Sequence, residues 1–137
     1  MTSLLTFVVP TVPVAMARPR VAVRGGRAHA YMPAKTQQAA WEIRQSAIAA
    51  LGDDPPFAGP VALRVTAYVP VPKSLPKRLH GIARPTKRPD LDNLLKTVLD
   101  GCSPLWGDDS QVVDLRGTKV FAIDGPPRWS ITVEDLA

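Results

Sequence analysis

Apolar and polar positions recur along this chain with two periods, and each period marks elements. Leu4–Val9 is a β-branched apolar run closed by Pro10 and Pro13, and reads as a strand. Arg20–Arg24 and Arg27–Tyr31 alternate about Gly25-Gly26, which predicts a hairpin whose outward positions are largely Arg. Ala39, Ala40, Ile43, Ala47, Ile48 and Leu51 recur at helical spacing and predict a helix over 34–51, opened by Pro33 and stopped by Gly52. Val61–Val69 alternates as a strand does. Leu91, Leu94, Leu95, Val98 and Leu99 stripe a second helix with Asp90 as its N-cap and Gly101 and Pro104 at its end. Gln111–Ile123 and Arg128–Val133 read as strands around a Gly125-Pro126-Pro127 turn. This order predicts an α+β fold, a small mixed or antiparallel sheet with two helices.

Composition changes the picture little. At 137 residues, 45% hydrophobic and 21% charged, the chain is expected to form one domain over 1–137. Fifteen prolines are about twice the usual share, so loops should be prominent. The longest is 70–89, with five prolines and Gly81, and a loop of this length is expected to be mobile and functional. No apolar run reaches the roughly 20 residues of a membrane span. The apolar stretch Thr2–Val9 has no preceding positive charge and is broken by Pro10, so it does not read as a signal peptide, and a cytoplasmic location is expected. Cys102 has no partner cysteine and reads as a buried small hydrophobe.

Charge changes it more. The net charge is +5, and the first 41 residues carry Arg18, Arg20, Arg24, Arg27 and Lys35 with no acid. Lys73, Lys77, Arg78, Arg84, Lys87 and Arg88 form a second acid-free strip. Basic segments of this kind neutralise phosphates. Directly after that strip, Asp90, Asp92, Asp100, Asp108, Asp109 and Asp114 supply six of the twelve acidic residues within 25 positions. Asp92, Lys96 and Asp100 share the helix face opposite the leucines. A strand returning alongside that helix can carry Asp109 toward Asp90 and Asp92. Three carboxylates so grouped would bind one or two Mg²⁺ ions, which take oxygen ligands and activate water against a phosphoryl group. The plainer alternatives are a helix cap or dipole partner at Asp90, a surface pair between Asp92 and Lys96, and a turn at Asp108–Ser110. His29 and His80 sit in basic segments and read as solvated or phosphate-contacting. Trp106 reads as a core anchor. Tyr31, Trp41, Tyr68 and Trp129 read as packing residues.

The segment Arg88-Pro-Asp-Leu-Asp-Asn-Leu-Leu-Lys-Thr-Val-Leu-Asp100, followed by Leu105-Trp-Gly-Asp-Asp-Ser-Gln-Val-Val-Asp114, strongly resembles the RusA family of Holliday junction resolvases. Pro13–Arg20 and Tyr31–Thr36 are similar to that family's opening segment, with Met16 where many members carry Lys. The resemblance implies a homodimeric, Mg²⁺-dependent endodeoxyribonuclease, with Mn²⁺ able to substitute, acting on four-way or otherwise branched DNA. Phage origin is frequent among members. It assigns Asp90, Asp92 and Asp109 as metal ligands and Lys96 as a further catalytic residue, with Asp108 beside the third aspartate in an assisting role and Asp100 at a recurrent position. Other branched DNA as the main substrate, or an inactive junction binder, are the alternative readings.

Overall fold

The structure, a computed structural model, describes residues 3–137, so Thr2 of the apolar N-terminal stretch lies outside the described residues. The elements in chain order are β1 (Leu4–Val9), β2 (Arg20–Arg24), β3 (Arg27–Tyr31), α1 (Ala34–Leu51), β4 (Val61–Val69), α2 (Leu91–Gly101), β5 (Val112–Phe121) and β6 (Arg128–Asp135). Gly52 ends α1 with φ of 60°, a conformation that a side chain resists. Short 3₁₀ turns occupy Lys77–Leu79, Ser103–Leu105 and Asp109–Gln111. The first of these is the only regular element within 70–89 among the described residues.

Four strands form one mixed sheet in the order β1-β6-β4-β5. β6 runs antiparallel to both β1 and β4, whereas β4 and β5 run parallel. The alternation of β4 puts Val61, Leu63, Val65, Ala67 and Val69 on the buried face. Phe7, Val9, Trp129, Ile131, Val133, Ile43, Leu94 and Val98 complete the core against both helices. The other face carries Thr6, Arg64, Thr66 and Thr132 and is wet, which explains why these strands alternate instead of being apolar throughout. The hairpin β2–β3 forms a separate sheet whose residues are almost all exposed. Tyr31 and Trp41 are 46% and 55% exposed, so neither is the packing residue that its type suggests, whereas Trp129 is fully buried.

The two helices meet where α2 offers no side chain. A Cβ on Gly101 would lie 2.7 Å from Ile43 Cβ and 2.8 Å from the Ala40 carbonyl oxygen. Gly101→Ala is therefore expected to destabilise the fold by about 1–3 kcal/mol through overpacking. That exceeds the gain of up to about 1 kcal/mol in helix propensity. Urea unfolding monitored by circular dichroism measures it; unchanged stability would mean that the helices part without cost.

Candidate active site

The approach to α2 is fixed by β5. Lys119 donates from Nζ to the carbonyl oxygens of Lys87 and Pro89, both at 2.8 Å. These carbonyls lie just before Asp90, so Lys119 orients the start of the helix. Sequence reasoning missed this lysine, because one Lys in an alternating strand carries no signal of what it reaches. The Asn93 carbonyl accepts from the Met16 backbone N–H at 2.8 Å, which seats the N-terminal segment on the first turn of α2.

Asp90 is the N-cap of α2, yet its side chain makes no capping bond. Asp92 follows in the first turn. Both are exposed, and neither is ion-paired among the described residues. The two carboxylates are therefore not consumed by capping or pairing. Lys96 makes no ion pair with Asp92 either; its Nζ lies 3.5 Å from Asn93 Oδ1. One turn of helix separates Lys96 from Asp92, on the same exposed face as Asp100.

Asp109 sits elsewhere. β5 does return alongside α2, but antiparallel to it: Gly117 faces Leu95 at mid-length, and Lys119 reaches the amino end of the helix. The start of β5 accordingly lies at the carboxy end of α2. There the buried Trp106 donates from Nε1 to Asp109 Oδ1 at 3.0 Å. The 11 residues of α2 rise about 16 Å, which separates Asp109 from the Asp90–Asp92 pair within one chain. No group of three or more His, Cys, Asp or Glu side chains among the described residues is placed to hold a metal ion.

The turn that presents Asp109 is built by its neighbours. Asp108 Oδ1 accepts from the Ser110 N–H at 2.9 Å, and Gln111 Oε1 accepts from the Asp108 N–H at 3.2 Å. The hydrogen bonds from Ser110 hold the Asp108 carboxyl below its ordinary range. Gln111 also donates to the carbonyl oxygens of Phe57 at 2.8 Å and Gly59 at 3.0 Å, which ties the turn to the foot of β4. Asp108 is thus a structural cap, while Asp109 keeps one carboxylate oxygen unengaged by the indole. Burial, and secondarily the charge of Asp109, pushes the Cys102 thiol up to about 12, so it stays a neutral core residue. Asp114 pairs with Arg116 at 3.4 Å.

The basic residues singled out above, Arg18, Arg20, Arg24, Arg27, Lys35, Lys73, Lys77, Arg78, Arg84, Lys87 and Arg88, are all exposed. None is ion-paired among the described residues; the pairs instead involve Arg64, Arg116 and Arg128. His29 lies on the hairpin opposite Ala22, on the face that carries Arg20, Arg24 and Arg27. His80 packs inward, its Nε2 lying 3.3 Å from the Leu75 carbonyl oxygen.

Among the described residues, Asp90 and Asp92 are thus exposed and unpaired at a helix start, and the basic residues of the two acid-free segments are exposed and unpaired as well. The model of the Endodeoxyribonuclease RusA family matches residues 10–134. "Uncharacterized protein YqaN" of Bacillus subtilis (strain 168) is 35% identical over 143 residues, covering 97% of each chain. The chain belongs to the RusA endodeoxyribonuclease family. No helix among the described residues is long and apolar enough to cross a membrane.

Proposed function

We propose that this protein is a Mg²⁺-dependent nuclease that resolves four-way DNA junctions by paired cuts, working as a homodimer with composite active sites. The observation that carries the reading is the unspent Asp90–Asp92 pair at the amino end of α2 in a chain of this family. The donor set fits the ion: all-oxygen, uncommitted and exposed, as a hard and partly hydrated cation requires. When bound, Mg²⁺ polarises the phosphoryl oxygen and makes water a better nucleophile.

One chain supplies only part of the site, and a two-fold axis supplies the rest. β5 is an edge strand, and Leu115, on its helix-facing side, is 42% exposed. A second copy paired antiparallel along that edge would lay the start of its β5 beside the end of the first. Its Asp109 would then approach Asp90 and Asp92, and the same would hold in reverse. Within each site, Asp90 and Asp92 of one copy and Asp109 of the other would hold the cation. Lys96 places positive charge one turn from Asp92, where it can offset charge developing on the phosphate. Trp106 fixes the direction of Asp109, and Lys119 that of Asp90. The unpaired arginines and lysines hold the junction arms by their phosphates without reading sequence. The products would carry a 5′-phosphate and a 3′-hydroxyl.

Purified protein incubated with matched four-way, three-way and linear DNAs, with Mg²⁺ or with a chelator, tests this. Symmetric nicks in the four-way junction that need Mg²⁺ and are about tenfold or more faster than cutting of the other DNAs are expected. Preferential cutting of flaps or forks would reassign the substrate. Tight junction binding without products in any metal would make the protein a binder only.

A further inference from the structure

A cavity of about 630 Å³ opens directly beside Asp90, formed where the 70–89 segment folds back over the ends of β4 and β5. The aspartates of the site make no use of it. Its size falls within the roughly 300–1,000 Å³ usual for small-ligand sites. Its lining has two parts. Val69 and the rings of Phe121, Pro72, Pro85 and Pro89 give apolar walls, whereas Arg84, Lys87 and Arg88 bring cations. Those three arginine and lysine side chains are exposed and without ion pairs among the described residues. Apolar walls built largely of ring side chains, with cations around them, match one chemistry closely, a nucleobase whose own phosphates lie outside.

Position strengthens the match. Pro89 lines the cavity, and Asp90 is the next residue. Lys119 holds the carbonyls of Lys87 and Pro89, so the cavity wall and the Asp90 carboxylate are pinned to the same strand. A DNA strand with its phosphate at Asp90 would therefore have a neighbouring sugar at the cavity mouth. A base stacked in duplex cannot enter. A base at a branch point is already poorly stacked, and extruding it costs least there.

We propose that this cavity receives the unstacked base of the nucleotide flanking the scissile phosphate, with Phe121 and the prolines against its faces and Arg84, Lys87 and Arg88 on the adjoining phosphates. The proposal rests on the nuclease reading above. Occupancy would couple cleavage to the presence of an extrudable base, and hence to branched DNA.

Single abasic residues, placed in turn at each position near the cut of a four-way junction, test it. One position adjoining the cut is expected to slow cleavage by about tenfold or more, because base–aromatic contact is lost. Ser74→Trp, an exposed loop position on the cavity wall, should fill the space without disturbing the core. That variant should cut the intact junction at the slow rate and show no further loss with the abasic one. In Asp90→Asn, which should bind without cutting, 2-aminopurine at the same position should brighten on binding. If the intact junction is cut normally and no abasic position matters, the inference falls and the nuclease reading stands. If no junction is cut under any condition, both fall together.

Discussion

Asp90→Asn is expected to bind a four-way junction as tightly as the native protein and to cut it about 1,000-fold more slowly. The factor corresponds to about 4 kcal/mol of barrier, the scale on which a positioned metal ion stabilises charge at phosphorus. The substitution keeps the shape and removes one negative charge. Because Asp90 makes no capping bond, the helix loses no contact when it becomes Asn. Because DNA is anionic, losing a carboxylate beside it should leave affinity unchanged or slightly raised. Single-turnover cleavage and a mobility-shift assay, read on one preparation, separate the two effects. A mutant within about tenfold of native cleavage would take Asp90 out of the metal site.

Asp90→Asn and Asp109→Asn, each inactive alone, are expected to restore cleavage when mixed. Asp90 and Asp109 lie at opposite ends of α2, so a single chain cannot bring them to one ion. In a mixed dimer with composite sites, one site would contain Asn at both positions. The other would contain Asp90 from one copy and Asp109 from its partner, and would be whole. About half of the dimers would be mixed at equal concentrations if exchange is random. The expected product is a nicked junction, since each mixed dimer has one working site. Co-refolding the two variants and following strand-specific end labels tests this. No recovery despite demonstrated subunit exchange would mean that each site draws both aspartates from one chain, against the placement seen here. The pair of experiments is also internally diagnostic: the first asks whether Asp90 acts in the chemistry, the second asks whose Asp109 it acts with.

The local elements were legible because each rests on neighbours in sequence. The period of Leu91, Leu94, Leu95 and Val98 describes α2 with Gly101 as its last residue, and the paired glycines mark the β2–β3 turn. Asp90 was legible as an N-cap, but not as a cap whose carboxylate stays free. Nor does any local pattern show that Lys119, 29 residues later, holds the carbonyls just before Asp90. Aromatic residues were read less well. Trp41 and Trp129 are alike in composition terms, and only the sheet decides that one is buried and the other exposed.

Residue order alone settled which side chains are available for chemistry: paired aspartates beside a lysine at a helix start, and cations in acid-free runs around them. Those facts follow from periodicity and charge, which act over a few residues. Tertiary structure alone decided where the carboxylates end up. The parallel pairing of β4 with β5 joins residues far apart in the chain, and it sets the direction in which β5 runs past α2. That direction carries Asp109 to the far end of the helix, a non-local result that no local pattern encodes.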